Sequence, residues 1–280
     1  MTLPYPVVDA WVNPNLGTPS NPRYKLGYLF PELSERWERK TTLEQMIEEM
    51  DAGHTDVSVL CAGYGGVEGV DDVGWVLDAL NRHPDRFVGS IAVDPTRGME
   101  AVRTVEDMVT NHGFRMARVV PFEIGVSYDD PMYYPVYAKC AELEIPVGIN
   151  VGIPGPLIAG AVQDPIHLDK ICAFFPELTV IMQHGGDPWI DLCVKLLLKW
   201  PNLHYMTSAW SPRRIPEGIV QFINSRGGGD KVMFASDYPL LTFERCAEEI
   251  EQMPFRREED RRKFARGNAL RVIAGRDDDA

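Results

Sequence analysis

Residues Leu178 to Thr207 read LTVIMQ, HGGDP, WIDLCVKLLLK, WPN and LHYMT in succession, and this stretch decides the fold. The run Leu178 to Gln183 is strand-like. Pro188 to Lys199 carries apolar residues at helical spacing, and Leu203 to Thr207 is strand-like again. Near-continuous apolar runs are what parallel strands require when both of their faces are covered.

The same alternation extends in both directions. Val7 to Val12, Asp56 to Cys61, Arg86 to Val93, Met116 to Val120, Pro146 to Val151 and Lys231 to Ala235 supply six more strand-like runs. Helical patterns separate them. Thr42-Leu43-Glu44-Gln45 fits a capping box, with Leu43, Met46, Ile47 and Met50 on one face and Gly53 placed to stop the helix. Met132, Val136, Cys140 and Leu143 form a second apolar stripe, and Asp164 to Phe175 a further helix. Strand and helix alternating eight times predict an α/β protein, a single (β/α)8 TIM barrel over residues 1–280. Periodicity does not by itself show closure, so an open doubly wound sheet is the competing architecture.

Residues 13–40 break the pattern, being rich in Pro, Asn, Gly and aromatics and too long for an ordinary connection. Coming directly after the first strand, they are expected over the strand C-termini as a lid or substrate loop. The tail from Arg276 to Ala280 reads as a frayed, solvated end. Gly227-Gly228-Gly229 reads as a flexible turn on the far side of the barrel.

Composition excludes several classes. With 28 Lys and Arg against 41 Asp and Glu, the net charge is -13, the wrong sign for a nucleic-acid binder. Nothing approaches the roughly 18 consecutive apolar residues of a membrane span. Met1 to Pro6 lack a basic region followed by an apolar stretch, so no secretory leader is expected. The five cysteines, Cys61, Cys140, Cys172, Cys193 and Cys246, are scattered without C-x-x-C spacing. Buried free thiols in a reducing cytoplasm are the expectation.

In a barrel of this kind the strand C-termini face the pocket. That rule selects Trp11 and Asn13, Cys61 to Tyr64, Arg118, Asn150, His184, Ser208 and Asp237. A lone strand-end His is commonly structural, and an Asp before Tyr-Pro is commonly a turn residue. Two such groups on different strands are more telling, as an acid/base pair or half a metal site. Arg118, with Arg213 and Arg214 after the seventh strand and Arg23 and Lys25 in the 13–40 segment, would suit a carboxylated substrate. Trp11, Tyr64, Trp189 and Trp210 could wall a flat ligand, although core packing explains each as well. Cys61 to Gly66 lacks the spacing and the Lys of a phosphate loop, and His204, inside a strand, reads as structural.

Six runs carry a resemblance. They are His83-Pro84-Asp85-Arg86-Phe87-Val88-Gly89, Glu144-Ile145-Pro146-Val147, Phe175-Pro176-Glu177-Leu178, Gln183-His184-Gly185-Gly186, Phe234-Ala235-Ser236-Asp237-Tyr238-Pro239 and Gly267-Asn268-Ala269-Leu270-Arg271. Together they resemble the amidohydrolase-related family (amidohydrolase 2) that includes aminocarboxymuconate-semialdehyde decarboxylase and the hydroxybenzoate decarboxylases. The resemblance implies a metal held by two His on strand 1, a His on strand 5 and an Asp on strand 8, with an acid/base His on strand 6. Here those positions hold Trp11 and Asn13, Asn150, Asp237 and His184. Indole does not coordinate and an amide oxygen is a weak zinc ligand, so most of the implied metal cage is replaced.

The expectation is therefore metal-independent hydrolysis or decarboxylation of a small carboxylated compound, aromatic, pyrone-like or lactone-like. The family's pyrone-dicarboxylate lactonase branch offers the analogy. His184 and Asp237 are the acid/base candidates, and Trp11, Asn13, Tyr64, Arg118, Asn150 and Trp210 the substrate contacts. No cofactor is expected. A small-molecule substrate is expected, with no nucleic-acid or membrane partner, and related barrels suggest a homodimer. Two rivals stay open. One is a metal-dependent enzyme in which Asp237 and His184 help to hold a weakly bound divalent ion such as zinc. The other is a non-catalytic barrel that binds a metabolite or a partner chain.

Overall fold

The structure is a computed structural model that describes residues 3–24, 26–63 and 66–278. Eight strands form one parallel sheet in sequential order: β1 Val7–Val12, β2 Thr55–Ala62, β3 Phe87–Ala92, β4 Phe114–Val119, β5 Val147–Asn150, β6 Val180–Gln183, β7 Leu203–Met206 and β8 Val232–Met233. Each lies within a few residues of its predicted run. Closure, which periodicity could not show, comes from the backbone after β8. Ala10 N–H donates to Phe234 O at 3.1 Å, Asp237 N–H to Trp11 O at 3.0 Å and Asn13 N–H to Tyr238 O at 2.9 Å. The sheet is therefore a barrel, and the open alternative is excluded.

Alternation along the strands sorts the side chains into two cores. Val57, Val59, Val88, Met116, Ile181, Met206 and Met233 fill the barrel lumen, where Leu270 and Ile273 from the C-terminal segment join them. Leu60, Phe87, Ile91, Val119, Ile149, Val180 and Val232 point outward and pack under the helices. The register of β1 against β2 shifts between Asp9 and Val12, and this irregularity places Trp11 in the lumen beside Val8 and Ala10.

The helix Leu43–Ala52 shows the local logic. Thr42 Oγ1 accepts from Gln45 N–H at 3.2 Å while the Gln45 side chain accepts from Thr42 N–H at 3.0 Å, the reciprocal cap read from sequence. Leu43, Met46 and Met50 are buried on its inner face. Among the described residues no helix is long and apolar enough to cross a membrane. All five cysteines are buried and free, as expected.

Two expectations are corrected. Gly228 and Gly229 are buried, and a Cβ on Gly228 would stand 1.7 Å from Phe222 O, so this turn is tightly packed rather than flexible. The tail is tied down as far as Asp278, whose carboxylate meets Arg262 Nε and Arg266 Nε, each at 2.9 Å. Asp279 and Ala280 lie outside the described residues, as do Lys25 and Tyr64.

The 13–40 segment leaves and rejoins the barrel at one point. Thr41 N–H donates to Asn15 O at 2.9 Å, and Asn15 Nδ2 donates to Thr41 Oγ1 at 3.0 Å and to Arg36 O at 2.8 Å. Between these ends it folds into two short 3-10 turns, Pro22–Tyr24 and Leu26–Tyr28, and the helix Leu33–Arg39. Leu26, Leu33 and Trp37 pack with Leu240 into a small separate core, which fixes the segment against the loop after β8.

Candidate active site

The two proposed acid/base groups sit where the chain leaves β6 and β8. Both occupy the left-handed region, His184 at φ 63° and Asp237 at φ 58°. For residues other than glycine this conformation costs about 1–2 kcal/mol each, a cost typical of positions whose side-chain direction matters. Gly185 and Gly186 follow His184 at φ 83° and 64°. A Cβ on Gly185 would come within 2.7 Å of Trp210 Nε1, and one on Gly186 within 2.4 Å of Cys193 Sγ. The Gln183-His184-Gly185-Gly186 run is thus dictated by backbone shape and by the close approach of Trp210 and Cys193.

His184 is held from three sides. Its backbone N–H donates to Ser208 Oγ at 3.0 Å, and its Nδ1 lies 3.0 Å from the same hydroxyl. Nδ1 is 3.7 Å from Asp237 Oδ2, and Nε2 is 3.2 Å from Arg118 Nη2. A guanidinium only donates, so Nε2 must accept and the ring proton belongs on Nδ1. Burial first, and the Arg118 charge second, push the His184 pKa down to about 3, so the imidazole is neutral. Its side chain still keeps 21% of its surface open, which leaves it reachable from the cavity.

Arg118 is itself buried, at 3% exposure. Its Nε and Nη2 donate to Asn150 Oδ1 at 3.1 and 2.9 Å, and Nη1 lies 3.8 Å from Cys61 Sγ. The guanidinium carbon sits 4.4 Å from the centre of the Trp11 ring. Trp11, expected as a ligand wall, is fully buried and serves as the platform beneath Arg118.

Asp237 accepts a 2.7 Å hydrogen bond at Oδ1 from Asn13 Nδ2, which also donates to Tyr238 O at 3.1 Å. Desolvation raises the Asp237 pKa to about 6, against the pull of Asn13 and Arg118. Below it lies Asp9, wholly buried, which the strand-end rule did not select. Its Oδ1 accepts from Ser236 N–H at 2.9 Å and Trp11 N–H at 3.2 Å, tying β1 to the segment that carries Asp237. Its Oδ2 has no partner among the described residues, and burial raises its pKa to about 7. A carboxylate inside the apolar run VVDAWV was the available signal. His204 is buried within β7, in keeping with a structural role.

A cavity of about 910 Å³ opens above these groups. Its lining includes Trp11, Asn13, Arg118, Asn150, His184, Trp210 and Asp237, all singled out from sequence, together with much of the 13–40 segment. Arg213 and Arg214 also reach it, as do Arg36 and Arg245, which the sequence did not flag; Arg23 does not. Tyr64 falls outside the described residues. Among the described residues no three His, Cys, Asp or Glu side chains gather as a metal site.

The family model for amidohydrolase matches residues 47–274, and no curated protein matches the sequence significantly. The fold resembles an uncharacterized TIM-barrel protein from Bordetella bronchiseptica, with a TM-score of 0.77 at 24% identity, covering 97% of this chain and 100% of that one. It also resembles a 2,6-dihydroxybenzoate decarboxylase from Rhizobium, with a TM-score of 0.69 at 17% identity, covering 96% and 98%. A dihydroxybenzoic acid decarboxylase from Polaromonas sp. JS666, solved with bound manganese and the inhibitor 2-nitroresorcinol, gives a TM-score of 0.69 at 18% identity, covering 96% of each chain.

Proposed function

The chain belongs to the amidohydrolase family, and from that premise we propose that it is an enzyme moving protons on a small carboxylated compound, without a divalent metal. Arg118 grips the substrate carboxylate, and His184 and Asp237 exchange the protons. The carrying observation is the 3.2 Å contact between Arg118 Nη2 and His184 Nε2, which sets an uncharged imidazole nitrogen against the anion-binding group.

A divalent ion does not fit the donors present. Positions 11 and 13 offer an indole and an amide. The Asn150 carbonyl oxygen and His184 Nε2 are both turned to the Arg118 guanidinium. That permanent cation fills the electrostatic place of a metal and would repel one. These features support metal independence, in contrast to the manganese-bound decarboxylase of the same fold.

Hydrolysis of an activated acyl group, such as a lactone, suits this arrangement best. When the substrate carboxylate engages Arg118, the guanidinium charge is offset and the second of the two causes that depress the His184 pKa is relieved, burial remaining. Once Arg118 Nη2 turns from Nε2 to the carboxylate, the freed Nε2 lone pair takes a proton from water as the oxygen adds to the acyl carbon. The acyl C–O bond then breaks, and the departing oxygen receives that proton from the imidazolium, while ionised Asp237 stabilises the imidazolium from the Nδ1 side. Decarboxylation is the second reading, favoured by the raised Asp237 pKa. In it, Asp237 protonates the ring carbon bearing the carboxylate, the C–C bond breaks, its electrons return to the ring and carbon dioxide leaves.

The test is a turnover screen of lactones and carboxylated aromatics with the wild type, His184→Ala and Asp237→Ala, before and after chelator, alongside elemental mass spectrometry. Turnover that resists chelator and is lost in both variants supports the proposal. About one zinc or manganese per chain, or loss with chelator, overturns metal independence. Tight binding of these acids with no turnover makes this a non-catalytic barrel.

A further inference from the structure

The cavity is far larger than a single-ring acid needs, and its outer half differs in character from its floor. At the floor stand Arg118, His184, Asp237 and Asn150. Toward solvent the lining is formed by Leu26, Tyr28, Leu29 and Phe30 of the 13–40 segment and, facing them, Ile153 and Pro154 after β5. These two stretches are joined over the mouth. Leu157 N–H donates to Arg23 O at 3.0 Å, and the Tyr28 hydroxyl donates to Gly155 O.

Apolar side chains on this rim are unusually open: Tyr28 is 57% exposed, Leu29 52% and Ile153 58%. Singly exposed apolar residues are ordinary, but a contiguous set rimming a cavity marks a binding surface. The rim is backed by the small core of Leu26, Leu33, Trp37 and Leu240, so it is built in place before any ligand arrives. It carries no charged side chain that could receive a second anionic group. Of the cations on the other side, Arg213 and Arg245 pair with Glu249 and Arg36 donates to Pro239 O and Leu240 O, while Arg214 lines the cavity as an exposed side chain.

We propose that the substrate is an amphipathic carboxylic acid, with a carboxylate on Arg118 and an extended apolar body lying between Leu29 and Ile153. This rests on the proposed reading of the floor and extends it to the size and polarity of the substrate. Polar floor and apolar rim belong to one continuous cavity, which favours a single ligand spanning both over a second protein chain on the rim.

The test titrates benzoate, 4-butylbenzoate and 4-octylbenzoate into the full chain by calorimetry. It uses the wild type, Leu29→Ser, Ile153→Ser and Arg118→Met, with sedimentation velocity on each. Affinity is expected to rise up to about fourfold per buried methylene. The two rim variants should lose most of that gain while binding benzoate as the wild type does. Equal affinity along the series, or a gain that the rim variants leave intact, overturns the inference. A dimer that Ile153→Ser dissociates, with no gain along the series, also overturns it and assigns the rim to a second copy. Benzoate binding that needs Arg118 but shows no length effect fails the inference alone. A length effect untouched by Arg118→Met leaves the apolar subsite standing and fails the carboxylate reading.

Discussion

Arg118 and His184 meet through Nη2 and Nε2 at 3.2 Å, so a permanent cation adds to burial in keeping the imidazole neutral. Arg118→Met removes that field. The His184 pKa, held at about 3, is then expected to rise, and Asp237, which the same charge pulls down, should rise with it. NMR titration of the His184 Cε1 proton checks this: an unchanged titration would mean that burial alone keeps the ring neutral. For carboxylated substrates kcat/KM should fall roughly 10- to 100-fold, the worth of a charge-assisted hydrogen bond.

Asn13 tunes Asp237. Its 2.7 Å hydrogen bond favours the ionised carboxylate, so Asn13→Ala should move the Asp237 pKa upward from about 6 by roughly one unit. In the hydrolytic reading Asp237 works ionised, activity falls as the pH drops through about 6, and the variant loses activity at a higher pH. In the decarboxylating reading Asp237 works protonated, and activity falls as the pH rises through the same value. A pH–rate profile of both proteins therefore separates the two chemistries, and a profile identical in both removes Asp237 from either role.

Asp9 makes stability depend on pH in a direction opposite to the usual carboxylate. Its pKa is about 7 in the fold and near 3.9 in the unfolded chain. Between these values the folded state binds the extra proton, so the Asp9 contribution to stability falls as the pH rises. Asp9→Asn keeps an acceptor for the Ser236 and Trp11 N–H groups and cannot ionise. Its stability relative to the wild type should improve from pH 4 to pH 8 by on the order of 4 kcal/mol. Urea denaturation at both pH values checks this, and a constant difference would show that Asp9 ionises freely.

Gly185→Ala combines a positive φ with a Cβ 2.7 Å from Trp210 Nε1. A loss of about 2 kcal/mol or more is expected, with Trp210 displaced. Chemical denaturation reads the first effect and near-ultraviolet circular dichroism the second. Wild-type stability with an unshifted Trp210 signal would mean that the turn relaxes at no cost.

The barrel was legible because its signals are local. Each strand is a short apolar run and each helix a 3.6-residue stripe, and the Thr42–Gln45 cap could be read from four residues. The floor was legible for a related reason, since strand ends point at the pocket once the strands are known, and His184, Asp237, Arg118 and Asn150 all line the cavity. Asp9 was missed because it lies inside a strand, one layer below the ends that the rule selects. The place of Trp11 beneath Arg118 was not legible, because the register shift in β1 and the guanidinium above its ring cannot be seen in the run VVDAWV.

The sequence by itself determined the order of elements, the eight-fold alternation and the residue types at positions 11, 13 and 150. Those properties depend on residue type and spacing along the chain. Tertiary structure alone decided closure of the sheet through Ala10, Asn13 and Asp237, the tautomer of His184 and the meeting of the 13–40 segment with the loop after β5. Each of these depends on distances between groups far apart in sequence, and on the dielectric they share once packed.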